Sequence, residues 1–197
     1  MTLNKGVVYI VNTQNCTKQQ QGFLYNFCDD YIKQKVDNLR LIDNQKIVNT
    51  IVGCVLRKYL VKKYFNIELK DQVVALNKFH KPFFKGKKIY FNVSHSCSMV
   101  ACAVSVYPVG IDIEKIHKYN KSMADYLFCE EEINSITKSI DKDLEFSKLW
   151  VIKESKLKLK GCGFVGYMKE PEKNIETDVS VIGDYVVGVS RYKNGAY

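Results

Sequence analysis

The segment Gly110-Ile111-Asp112-Ile113-Glu114 places two carboxylates two residues apart inside an apolar run. On a strand, residues two apart point to one face, so Asp112 and Glu114 project together while Ile111 and Ile113 face a core. Neighbouring carboxylates repel each other unless a cation stands between them, and an all-oxygen ligand set suits a hard divalent ion. Taken alone, the pair also fits an acidic, solvated strand face. A second candidate lies in the run Phe146 to Lys158. Helical spacing stacks Trp150, Glu154 and Lys158 on one face as successive i, i+4 neighbours. By itself that pattern equally describes a core tryptophan beside a surface ion pair worth a few tenths of a kcal/mol. A third is His95, set between Ser94 and Ser96 at the end of an apolar strand. Two hydroxyls, backbone amides and a ring N–H suit a phosphate there, or simply cap a turn.

Several elements must position these residues. Val7 to Val11 reads as a strand, and Phe23 to Leu39 carries apolar residues at a helical period. Asp43 is placed to cap a long helix in which Ile47, Val48, Ile51, Val52, Val55, Leu56, Tyr59 and Leu60 recur at three and four. Val73–Leu76, Ile89–Val93, Met99–Val106 and Gly110–Ile116 read as strands, with Ser94-His95-Ser96 joining the second to the third. His80-Lys81-Pro82-Phe83 is extended or turning, because the residue before a proline avoids the helical region. Helices are expected around 122–128, 130–139 and 144–160, the last stopped by Gly161. Val179–Ile182 and Tyr185–Tyr192 form a hairpin turning at Gly183-Asp184.

The bulk composition narrows the partners. An apolar content of 46% fits a globular chain, and a length of 197 residues admits one domain or two small ones. No apolar run is long enough for a membrane span, and the N-terminus lacks the pattern of a signal peptide, so a cytoplasmic protein is expected. The seven cysteines include no C-x-x-C pair, which argues for reduced thiols and against a zinc site. The net charge of +9 calls for an anionic partner, without choosing among nucleic acid, lipid, a phosphate-rich small molecule or an acidic protein.

Order adds what the separate motifs lack. FNVSHS, GIDIE and LWVIKESKLK follow one another, Asp112 lying 17 residues after His95 and Glu154 lying 42 after Asp112. With the Lys81-Pro82 pair, this set resembles the 4′-phosphopantetheinyl transferase family of the surfactin-synthetase-activating type. Gly110, Ile111, Asp112, Trp150, Lys153, Glu154, Ser155 and Lys158 match the fixed positions of its two boxes. The resemblance is close over 81–158 and holds in outline elsewhere.

The resemblance implies an α/β (α+β) pseudo-twofold fold made of two similar halves, 1–108 and 109–197, with coenzyme A in the cleft between them. It implies a monomeric enzyme that moves the phosphopantetheine arm of coenzyme A to a serine of an acidic apo carrier protein. Neither nucleic acid nor membrane is an expected partner. Asp112, Glu114 and Glu154 would bind Mg²⁺, with Mn²⁺ as the alternative. Ser94 and His95 would meet the 3′-phosphate, Lys81 and Pro82 the adenine side, and Lys158 the pyrophosphate. Lys46 and Arg57 would add phosphate contacts. Glu154 and Glu132 are candidates to take the serine proton. Two departures stand out: His80 occupies the position before Lys-Pro where the family often has glycine, and the chain is short after Lys160. Three other readings compete: a basic nucleic-acid-binding module, a non-catalytic relative that binds coenzyme A or a carrier, and a different metal-dependent phosphotransferase. No Walker-type loop supports the last.

Overall fold

In the computed structural model, residues 2–3, 6–39, 43–163 and 172–193 are described. The chain is a mixed α/β fold of small antiparallel sheets and helices. Strands β1 (Thr2–Leu3), β2 (Gly6–Asn12), β5 (Tyr90–Ser96) and β6 (Met99–Ser105) form one sheet in the order β1-β2-β6-β5. Strands β3 (Val74–Leu76) and β4 (Pro82–Phe84) pair separately, and β7 (Gly110–Lys115), β9 (Tyr185–Tyr192) and β8 (Ile175–Ile182) make a third sheet in that order. The helices are α1 (Lys18–Tyr25), α2 (Asp30–Leu39), α3 (Asn44–Phe65), α4 (Lys121–Leu127), α5 (Glu130–Lys138) and α6 (Lys142–Lys160).

The long helices start and stop where the sequence directs. The Asp43 carboxylate accepts from the amides of Gln45 and Lys46, satisfying donors that the first turn of α3 cannot pair. Asp141 does the same for Leu144 in α6, and Gly161 closes that helix in the left-handed conformation at φ +67°.

Two expectations need correction. The apolar period over Phe23–Leu39 is not one helix. The chain leaves α1 after Tyr25, and Asp29 turns aside to pair with Arg57 and Lys58 before α2 begins. Periodicity alone misses this because both helices present apolar stripes to α3, where Ile32, Val36, Ile51 and Cys54 pack together. Nor does Ser94-His95-Ser96 join two strands. These residues belong to β5, paired with β6 through Ser96–Met99, and the reversal falls at Cys97-Ser98, with Cys97 at φ +48°.

The first sheet packs one face against α3 through Val7, Leu60, Val61, Phe91, Cys102 and Val104. Its other face shares a core with the third sheet, in which Val8, Ala101 and Ala103 meet Ile111, Ile113, Val187 and Val189. Helix α6 lies on the far side of β7 and β9. It comes so close that a Cβ on Gly110 would fall 2.0 Å from the Ser155 carbonyl oxygen, and one on Gly188 would fall 2.6 Å from Val151 Cγ1. The glycine of the GIDIE segment thus allows the α6 backbone to lie directly on β7.

Candidate functional site

The site begins where two sheet edges meet. β5 and β7 share no backbone ladder, yet they are stitched together by alternate side chains of β5. Asn92 Oδ1 accepts from the Ile111 amide at 2.9 Å, Ser94 Oγ donates to Asp112 Oδ1 at 2.7 Å, and Ser96 Oγ donates to Glu114 Oε2 at 2.7 Å. The period of two along each strand makes these three pairs fall in step. Ser94, expected on a phosphate, holds Asp112 in place here. The bridging work of Asn92 and Ser96 was not foreseen. Its signal in the sequence is the alternation of polar residues at 92, 94 and 96 in an otherwise apolar strand.

Helix α6 brings the third carboxylate and the cation. Lys158 Nζ stands 2.5 Å from Asp112 Oδ1 and 2.7 Å from Ser94 Oγ. Asp112 is 1% exposed, and its Oδ2 is buried with no hydrogen-bond partner. Burial raises the pKa of Glu154, and the negative charges of Asp112 and Glu114 add to the rise, while Lys158 opposes it. Glu114 is raised chiefly by burial and also by Asp112, against the bond from Ser96. The structure therefore brings Asp112, Glu114, Glu154 and Lys158 into one electrostatic unit. All the acidic donors are oxygens and one buried oxygen is unsatisfied, which suits a hard cation. Even so, among the described residues no three His, Cys, Asp or Glu side chains converge tightly enough to hold a metal ion. The donor types fit magnesium; in the present arrangement the Lys158 ammonium is bonded to Asp112.

Two cavities that share lining residues lie beside this unit. One, of about 230 Å³, is lined by Glu154, Lys158, Leu157, Lys81, His80 and Pro82. The other, of about 610 Å³, shares His80, Pro82 and Asn92 with it and adds Lys35, Arg57 and His95. His95 points away from Ser94 and Ser96 into that larger cavity, as strand alternation requires. Its pKa is lowered, first by burial and then by Lys35, Lys158 and Lys46. A clustering of cations around a half-buried imidazole marks a place suited to an anion. An apolar cavity of about 810 Å³ between α1, β2 and α3 contains none of these residues.

Other expected residues are committed elsewhere. Arg57 is 1% exposed, bonded to Asp29 at 2.6 Å, and stacked on Phe84 and Phe91 at 5.5 and 5.0 Å. Its Nε and Nη1 are buried and unpartnered, so it reaches the cavity wall with hydrogen-bonding capacity to spare. Lys46 is exposed and pairs with Asp43 at 3.9 Å. Lys81 donates to the Leu159 carbonyl at 2.8 Å, capping the end of α6, and burial lowers its pKa to about 8. Glu132 is held 2.9 Å from Lys153, and its Oε2 accepts from the Cys129 amide that opens α5. Trp150 packs with the α4–α6 core, edge-on to His117. His80 adopts φ +61°, the left-handed region that favours glycine, which gives a physical reason for the glycine often found at this position.

Comparison with known proteins covers the same segment of the chain. Residues 108–188, which include β7, α6 and all three acids, match the family described as the 4′-phosphopantetheinyl transferase superfamily. The chain is 32% identical over 145 residues to the 4′-phosphopantetheinyl transferase gsp of Aneurinibacillus migulanus, covering 71% of this chain and 60% of that protein. It is 31% identical over 118 residues to the 4′-phosphopantetheinyl transferase Sfp of Bacillus subtilis strain 168, covering 58% of this chain and 52% of that one. The chain is similar to the 4′-phosphopantetheinyl transferase superfamily, most closely over the segment that carries β7 and α6. It spans between about half and three fifths of the length of these two relatives. Among the described residues, no helix is long and apolar enough to cross a membrane.

Proposed function

We propose that this protein transfers the 4′-phosphopantetheine arm of coenzyme A to a serine hydroxyl of an apo carrier protein. The observation that carries the reading is the junction of the paired cavities with the Asp112–Lys158 unit. A basic, half-buried chamber around His95, Lys35 and Arg57 shares the wall residues His80, Pro82 and Asn92 with a smaller cavity lined by Glu154 and Lys158 of α6. That sequence of environments suits a molecule with a 3′-phosphate and adenine at one end and a pyrophosphate at the other.

In the reaction the serine oxygen forms a bond to the β-phosphorus. The bond to the bridging oxygen breaks, and adenosine 3′,5′-bisphosphate departs. Alignment and neutralisation of charge on the phosphate oxygens supply most of such catalysis. His95 and Lys35 anchor the nucleotide end, with Ser94 keeping β5 in register against Asp112. Lys158 supplies positive charge beside the pyrophosphate. Glu154 faces the cavity and is the carboxylate available to take the serine proton; Glu132 is already engaged by Lys153 and the α5 cap. Asp112, Glu114 and Glu154 would hold Mg²⁺ or Mn²⁺ once rearranged. A bound ion would supply Lewis-acid neutralisation of the phosphate oxygens. The net charge of +9 favours an acidic carrier surface and fast, salt-sensitive encounter.

The test is to incubate the protein with coenzyme A, Mg²⁺ and several apo carrier proteins and to weigh the carriers by mass spectrometry. A gain of one phosphopantetheine is expected, with Asp112→Asn slower by about 100-fold or more while still folded. No gain on any carrier would overturn the reading.

A further inference from the structure

The contacts of Lys158 have a consequence for how the site is loaded. A carboxylate as enclosed as Asp112 needs a counter-charge, because an unpaired buried ion is costly. Among the described ion pairs, Lys158 supplies it. The same ammonium moderates the charge felt by Glu114 and Glu154. Lys158 thus pairs with one oxygen of Asp112 while the other stays without a partner, and the three acids do not form a ready-made metal cage. Yet Lys158 is not locked in. Its side chain is 29% exposed and lines the smaller cavity, and its long stem is free to swing toward that space. Ser94 would keep its own bond to Asp112 if the lysine moved.

We propose that Lys158 is a built-in counter-ion that occupies the place of a divalent cation on Asp112, and that the phosphates of bound coenzyme A draw it away so that nucleotide and cation are taken up together. The proposal rests on the transferase reading above. It gives one side chain two successive partners: Asp112 in the free protein and the pyrophosphate in the loaded one. Without the nucleotide, a cation must displace an ammonium already bonded to two oxygens, so affinity is low. With it, the phosphates compensate the lysine and Asp112 becomes free. By linkage, the cation favours the nucleotide by the same factor. Cooperativity alone does not single out the lysine, because the phosphates would also ligate the ion directly. The informative measurement is therefore made without coenzyme A.

Mn²⁺ serves as the probe, its free concentration read by electron paramagnetic resonance. Lys158→Gln, which keeps a hydrogen-bond donor, and Lys158→Met are compared with wild type, with folding checked by circular dichroism. Lys148→Gln removes one charge from the same helix at a lysine 4.0 Å from Glu145 and controls for net charge. The expected result is Mn²⁺ binding about tenfold tighter in the Lys158 variants and within about twofold of wild type in Lys148→Gln. Unchanged or weaker binding in both Lys158 variants, or an equal gain in Lys148→Gln, would overturn the proposal. Wild type with coenzyme A present reports on the underlying site. Mn²⁺ binding there that is lost in Asp112→Asn, without any gain in the Lys158 variants, sinks the counter-ion idea alone. No Mn²⁺ binding under any condition sinks both.

Discussion

Helices α3 and α6 each lie across a small antiparallel sheet, and each carries a cation paired with a partly or wholly buried carboxylate. The resemblance ends at what surrounds the pair. Arg57 on α3 is enclosed between two phenylalanine rings and bonded to Asp29, with 1% of its surface exposed. Lys158 on α6 is held by two oxygens at the wall of a cavity, with its side chain 29% exposed. The first pair fixes the link between α1 and α2 against α3. The second sits where an anionic ligand can compete for the cation. A rigid, planar guanidinium suits the permanent pair, and a flexible ammonium suits the exchangeable one.

The comparison is broken most severely by removing a partner. Asp29→Ala leaves Arg57 buried without a counter-ion and is expected to cost about 3–5 kcal/mol in urea unfolding. Lys158→Gln is expected to cost less than half as much, since water and a side-chain amide can reach Asp112. Equal losses would mean that the Lys158 pair is as structural as the other.

A second contrast is in how the helices approach their sheets. A Cβ on Gly53 of α3 would fall 2.8 Å from Val93 Cγ1, a side-chain methyl, whereas one on Gly110 would meet the α6 backbone at 2.0 and 2.4 Å. Gly110→Ala should therefore destabilise by about 3 kcal/mol, because neither backbone can give way. Gly53→Ala should stay within about 1 kcal/mol of wild type, its helix-propensity gain offsetting a small shift of Val93. The reverse order would contradict the packing described.

The smallest expected effect concerns Glu154. Its pKa is raised above the usual 4.5, so the native state holds a proton that the unfolded chain releases. The contribution of this group to stability is fullest below about pH 4.5 and is lost as pH rises through the higher native value. Glu154→Gln removes that loss. Its stability relative to wild type should increase as pH rises above about 4.5, with transfer abolished. A gap independent of pH would argue against a burial-strained carboxylate.

Much of this was legible in the residues. The alternation in GIDIE, the i, i+4 spacing of Glu154 and Lys158, and the caps at Asp43 and Gly161 are local rules, and the chain obeys them. Other features depended on distant contacts. The apolar period from Phe23 to Leu39 conceals a break made by Asp29, because pairing with Arg57 is a long-range event. Lys81 reads as a ligand contact in sequence but caps α6 in the fold, and Glu132 reads as a candidate base but is held by Lys153.

The sequence by itself determined which residues could do chemistry and which faces they would share, since strand and helix periods follow from backbone geometry alone. The tertiary structure decided which of those faces meet. Bringing β5 against β7 puts Ser94 on Asp112, and laying α6 on Gly110 carries Lys158 to the same carboxylate. Periodicity orients a side chain within its own element. Only the packing of one element on another, set by burial and the absence of a Cβ, chooses its partner.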